Sequence, residues 1–268
     1  MAHTIPNVLT IAGSDPSGGA GIQADIKTFS ALGAYGAAAI TALTVQNTHG
    51  VSAVHPVAAD IITAQLDAVF DDVRIDAVKI GMLANAPIVR AVADALERHR
   101  PAHVVLDTVI LSSSARVLLE PDALGALRDR LLPLASVVTP NLHEAAALLE
   151  QPVASDEAQM ALQGDALRAL GARAVLIKGG HLPGEFSPDW LIEASRHTRI
   201  AGARVNVAGT HGTGCTLSAA IAALRPQRLD LANAVSDAKT YLTQALIQGT
   251  RLSVGHGTGP LHHFHPWW

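Results

Sequence analysis

Val8-Leu9-Thr10-Ile11-Ala12, followed after a glycine-rich turn by GAGIQADIKTFSAL (residues 19–32), decides the fold. The first stretch is short, apolar and rich in β-branched residues, which marks a buried strand, while the second spaces its apolar side chains as a helix does. The alternation recurs. Further strands are expected at 38–45, 77–80, 104–107, 136–139 and 174–178, and helices at 60–70, 87–98, 122–131, 143–149 and 156–170. Continuous apolar strands imply a sheet covered on both faces. The pattern therefore predicts an α/β fold with a central, mostly parallel β-sheet flanked by helices on both faces. After Lys178, segments 190–193 and 198–207 suggest a hairpin, and helices over 213–224 and 229–248 follow.

Composition agrees with one enzyme-sized core. The chain has 268 residues, 49% hydrophobic and 16% charged, and no internal linker divides it, so a single domain over 1–268 is expected. A net charge of −4 supplies no basic footprint, which argues against a nucleic-acid partner. Apolar runs break well before the roughly 20 residues of a membrane span, so no membrane partner is expected either. The lone cysteine, Cys215, has no partner for an internal disulfide, and Met1-Ala2-His3-Thr4 does not resemble a signal peptide. Both features suggest a cytoplasmic protein.

Polar residues cluster where the strands should end at their carboxyl side, the usual ligand position in open α/β sheets. The most informative segment is THGTGC (210–215) followed by TLSAA (216–220). Its small residues let the amides of Gly212, Thr213 and Gly214 converge at the start of a helix, whose partial positive charge favours an anion. Cys215 at the rim is placed to act as a general base in phosphoryl transfer, and a helix start should lower its thiol pKa towards neutrality. Taken alone, a lone cysteine is more often a small buried hydrophobe than a catalytic group. The other glycine cluster, residues 13–21, lacks both the P-loop ending and the GxGxxG spacing. Asp107 offers magnesium a hard oxygen ligand, with Asn141 and Glu144 nearby, although Asn141 and Glu144 are also spaced as a helix-capping pair.

These motifs together resemble the hydroxymethylpyrimidine kinase family of the ribokinase-like superfamily, in which a GTGC loop replaces the GAGD-type loop of the sugar kinases. The resemblance extends through TIAGSDPSGGAGIQADIKTFSALGAYG (10–36), ITALTVQNTHGV (40–51), KIGML (79–83), VVLDTV (104–109), TPNLHEAA (139–146), VLIKGGH (175–181) and GTGPLHHFHPWW (257–268). It implies ATP-dependent phosphorylation of 4-amino-5-hydroxymethyl-2-methylpyrimidine and then of its monophosphate, with ATP and Mg2+ as cofactors and a homodimer as the assembly. By the same resemblance, Cys215 is the base and Gly13, Asp25, Gln46, Met82 and Val109 bind the pyrimidine. Gln46 offers both a donor and an acceptor to an aminopyrimidine edge. The resemblance further assigns Lys178, Asn141, Glu144 and Thr210 to the nucleotide, and Asp107 with Glu144 to magnesium.

Two departures stand out. Gly209 replaces an Asn or Asp common in relatives, and Ser113-Ser114-Ala115-Arg116 replaces a Lys-Ser-Gly-Asp-type loop, leaving Arg116 as a candidate phosphate contact or a solvated arginine. His262, His263 and His265 are expected to form a structural tail, and residues 255–259 a loop near the site. The alternatives are a pyridoxine or pyridoxal kinase on the same fold, a cysteine hydrolase pairing Cys215 with His211, and a non-catalytic pyrimidine-binding regulator.

Overall fold

The computed structural model describes residues 4–111, 117–207 and 209–268. The expectation for Arg116 lies outside the described residues. Nine strands form one sheet in the order β3-β2-β1-β4-β5-β6-β7-β8-β9. The six central strands are parallel: β1 (Asn7–Ser14), β2 (Tyr35–Asn47), β4 (Ala77–Ile80), β5 (Val104–Leu106), β6 (Val137–Val138) and β7 (Val175–Ile177). Antiparallel strands complete both edges, β3 (Gly50–Pro56) beside β2, and β8 (Asp189–Ile192) with β9 (His197–Ile200) beside β7.

Side chains alternate across this sheet with period two and so build two cores. Leu9, Ile11, Val78, Ile80, Val104, Leu106, Val175 and Ile177 pack with α2 (Ala59–Asp72), α3 (Ala86–His99), α5 (Leu142–Leu149) and α6 (Glu157–Ala169). Val8, Ala77, Val105, Val137 and Leu176 face α1 (Gly21–Ala31), α7 (Thr213–Leu224) and α8 (Leu231–Gln248). Both faces are covered, which explains why the central strands are mostly apolar.

Three local expectations change. The strand β3 is not evident in the sequence; its pairing with β2 through a tight turn defines it more than its own mixed burial does. The helix expected over 122–131 is α-helical only in α4 (Pro121–Ala126), then widens to a π turn (Leu127–Leu131) and tightens to a 3-10 turn (Leu132–Leu134) containing Pro133, which lacks an amide donor. The last strand stops at Ile200 rather than 207. Beyond it the chain turns onto α8, where a Cβ at Gly202 would stand 2.9 Å from Lys239 Cε.

Candidate active site

The chain runs from β1 outward to β2 and β3 and then returns to place β4 on the other side of β1. Strand ends diverge at such a reversal and leave a crevice. A cavity of about 790 Å3 opens along this edge, with a wall including Ser14, Gln46, Met82, Asp107, Val109, Lys178, Thr210 and Cys215.

Two helix starts meet at its centre. Gly212 caps α7 in the left-handed region, φ 83°, and a Cβ there would stand 1.9 Å from the Gly19 carbonyl oxygen. Gly21 opens α1, also left-handed at φ 56°, with its absent Cβ 2.2 Å from the Gly13 carbonyl. Only glycine permits both this conformation and this approach. The backbone N–H of Gly21 favours negative charge on the Cys215 sulfur, which sets the thiol beside the start of α1 as well as within the first turn of α7. One amide of the expected set already has an acceptor within the loop. Thr213 directs its amide to the Thr210 carbonyl at 3.3 Å, and its hydroxyl donates there at 2.7 Å. Among the described residues, the amides of Gly212, Gly214 and Cys215 at this helix start have no backbone acceptor.

The thiol also departs from expectation. Burial pushes Cys215 up to about 11; Asp25 and Asp107 push the same way, while Lys79 and the Gly21 amide oppose them. A helix start alone does not make a thiolate when desolvation is larger.

At the other side of the cradle, Lys178 Nζ donates to Asp107 Oδ1 at 3.1 Å and lies 3.8 Å from Glu144 Oε2. A Cβ added to Gly214 would lie 3.5 Å from Lys178 Nζ and 3.6 Å from Asp107 Oδ2. Asp107 also accepts from Thr139 and Ser218. Burial works against its charge, but Lys178 and Lys79 outweigh it and hold the carboxyl below its ordinary value. Glu144 is shifted the other way, raised by burial against the pull of Lys178. Both readings of Asn141 and Glu144 hold at once. The Asn141 side chain accepts from Glu144 N at 2.9 Å and Glu144 Oε2 accepts from Asn141 N at 2.8 Å, closing a capping box on α5 whose side chains still face the cavity.

On the pyrimidine side of the expected site, Gln46, Met82 and Val109 stand in the cavity wall. Gly13 does not; it lies under Met82, whose Cε occupies a point 2.4 Å from where a Gly13 Cβ would be. Asp25 requires a correction. It is fully buried and absent from the wall, with its carboxylate accepting from Lys79 Nζ at 2.9 and 3.0 Å and from Thr10 Oγ1 at 2.6 Å. A carboxylate committed to three hydrogen bonds from two buried donors is not a direct substrate reader.

Sequence reasoning missed Lys79 and Asp15. Lys79 is the signal overlooked, a charge inside the apolar strand Ala77–Ile80. Asp15 accepts from Ser17, Gly19 and Ala20 amides and from His211 Nε2 at 2.8 Å, thereby tying the first glycine cluster to the second. The same His211 nitrogen lies 3.1 Å from the Gln46 amide. No hydrogen bond joins His211 to Cys215 among the described residues, so the pairing a cysteine hydrolase needs is absent there. Thr258 of the 255–259 loop reaches the wall, with its amide donating to the Thr48 carbonyl at 2.8 Å. His262 and His263 are buried in the tail, where His263 meets Thr216 Oγ1 at 3.1 Å. Gly209 fits closely against the Gly259 carbonyl, 3.0 Å from where its Cβ would stand.

The phosphomethylpyrimidine kinase family model matches residues 15–262. The chain belongs to that family. It is a kinase, and the expected resemblance is borne out over nearly its full length. The hydroxymethylpyrimidine/phosphomethylpyrimidine kinase of Escherichia coli (strain K12) is 58% identical over 262 residues, covering 98% of both chains, and that of Rhizobium meliloti is 53% identical, covering 97% of both. Among solved structures, a phosphomethylpyrimidine kinase from Clostridium difficile is 41% identical with a TM-score of 0.80, over 90% of this chain and 99% of that one. An ADP complex of Bacillus subtilis pyridoxal kinase has a TM-score of 0.89 at 35% identity, over 97% and 98% of the two chains. The ribokinase-like fold is thus common to both kinase types, while the higher identities lie with the pyrimidine kinases.

Proposed function

We propose that this cavity transfers the γ-phosphoryl group of ATP to the hydroxymethyl oxygen of 4-amino-5-hydroxymethyl-2-methylpyrimidine, and a second one to the phosphate of the product. The observation that carries the reading is the placement of Cys215 where the starts of α1 and α7 meet, with Lys178 and Asp107 against the preceding residue, Gly214. In the first step the substrate O–H gives its proton to the thiolate form of Cys215 as the new P–O bond forms. The bond from the γ-phosphorus to the bridging oxygen breaks, leaving ADP. Amides of Gly212, Gly214 and Cys215 hold the oxygens of the group in flight, and Lys178 balances charge on the nucleotide phosphates. The second step differs chemically. Its nucleophile is a phosphate oxygen already ionised at neutral pH, the second pKa being about 6, so no base is needed.

Asp107 and Glu144 fit Mg2+ as oxygen donors converging on one ammonium, a set that leaves room for phosphate and water ligands. Bound there, the ion would neutralise charge shared between the β- and γ-phosphates. Gln46 reads the pyrimidine edge, Met82 and Val109 enclose the ring, and Asn141 and Thr210 line the nucleotide side. The whole chain forms one kinase domain in the cytoplasm. It pairs as a homodimer through the outer end of β2, where Leu43 and Val45 are 54% and 53% exposed. No described helix is long and apolar enough to cross a membrane.

Incubating the protein with ATP, Mg2+ and the pyrimidine alcohol, with products identified by mass, tests the reading. Successive gains of one and two phosphoryl groups are expected. Turnover of pyridoxal with none of the pyrimidine alcohol would overturn it.

A further inference from the structure

A lysine and an aspartate lie between the sheet and its helices, where the neighbouring positions are filled with hydrocarbon. Lys79 and Asp25 are both 0% exposed and form an ion pair at 2.9 Å. Alternation along the strands explains how they meet. Thr10 shares the parity of Val8, and Lys79 that of Ala77, so both side chains leave the sheet on the face covered by α1 and α7. There α1 brings Asp25 to both donors, and α7 brings Cys215. Lys79 also reaches the cavity wall, whereas Asp25 does not. Gly81 leaves room for the ammonium, since a Cβ there would stand 2.9 Å from Lys79 Nζ.

A buried ion pair contributes little net stability compared with a well-packed apolar pair, so its presence calls for another reason. We infer that Lys79 and Asp25 are positioning residues that set the reactivity of the Cys215 sulfur, the lysine drawing negative charge onto it and the aspartate limiting that pull. This rests on Cys215 being the base. Four charged groups act on the sulfur: Lys79 from β4, Asp25 from α1, Asp107 after β5 and Lys178 after β7. Lys79 is the largest influence that lowers the thiol, opposing burial. Asp25, Cys215 and Asp107 together keep Lys79 protonated against the desolvation that works the other way.

The two charges should act in opposite directions, which a purely structural pair would not do. The test is the pH dependence of Cys215 alkylation by iodoacetamide in the substrate-free protein, a readout independent of kinase activity. Lys79→Met should slow alkylation at fixed pH about tenfold, one pKa unit's worth, whereas Asp25→Asn should speed it severalfold. Each single change leaves a buried partner charge unpaired, so the double variant Lys79→Met/Asp25→Asn is measured as well. With both charges removed the stronger pull of Lys79 is lost, and alkylation should remain slower than in the wild type. Shifts of the same sign in the two single variants, or a double variant alkylated at the wild-type rate, would overturn the inference. Should Cys215 prove dispensable for phosphorylation, these rates would still answer whether the pair governs the thiol.

Discussion

Gly212 and Gly214 stand two residues apart in one loop, yet replacing each with alanine should have opposite effects on stability. At Gly212 the added Cβ falls 1.9 Å from Gly19 O and 2.9 Å from Gly19 C, backbone atoms that no side-chain rotation can move aside. Its left-handed conformation costs alanine roughly 1–2 kcal/mol, and forcing the two turns apart costs about 1–3 kcal/mol more, so Gly212→Ala should lose about 2–5 kcal/mol. For a chain of this size that is a fall in Tm of about 4–9 °C. The same displacement separates the Gly21 amide from Cys215, and a shift on the order of 1 Å costs about a hundredfold in kcat. Gly214 lies within α7 and has no strained backbone. Its Cβ would meet Lys178 Nζ at 3.5 Å and Asp107 Oδ2 at 3.6 Å, ordinary contact distances. Gly214→Ala should therefore gain about 0.5–1 kcal/mol from helix propensity while placing a methyl group in the phosphate cradle and lowering kcat about a hundredfold. Thermal unfolding followed by circular dichroism and an ADP-release assay measure both quantities. A Gly212→Ala protein with unchanged Tm, or a Gly214→Ala protein with full turnover, would refute this account of the loop.

Other outcomes follow from the same geometry. Gln46→Ala should raise KM for the pyrimidine about tenfold or more while leaving KM for ATP within twofold, as steady-state kinetics with each substrate varied will show. Because the Cys215 thiol is pushed up to about 11, its ionised fraction grows with pH across the working range. The kcat/KM for the alcohol should accordingly rise about tenfold per unit between about pH 6 and 9; a flat profile would place the base elsewhere. Leu43→Lys combined with Val45→Lys should yield a monomer by analytical ultracentrifugation, the exposed apolar stripe on β2 being replaced by repelling charge.

Much of this arrangement is legible in the order of the residues. The central strands announce themselves by largely apolar runs, because helices cover both their faces and few positions need to be polar. The helix behind THGTGC begins and ends where its small residues and Leu224 place it. What local pattern does not supply is pairing across the chain. The strand β3 is defined by β2, and the burial of Asp25 becomes evident only when Lys79, 54 residues away in sequence, arrives beneath it. The thiol illustrates the same limit. A helix start is visible in sequence and argues for a lower pKa, but the desolvation that reverses the shift is a property of the assembled core. Asp15 and His211 likewise lie 196 positions apart, and their contact joins two glycine loops that sequence presents as separate.

The most direct test of the central claim compares the two phosphorylations in Cys215→Ala. If Cys215 is the base for an alcohol nucleophile, kcat for the alcohol should fall about a hundredfold or more, the usual size for losing a general base. Phosphorylation of the monophosphate, whose attacking oxygen carries no proton to remove, should stay within about threefold of the wild type. Single-turnover measurements with each substrate separate the two steps. Equal losses in both steps, or undiminished turnover of the alcohol, would contradict the role given to Cys215.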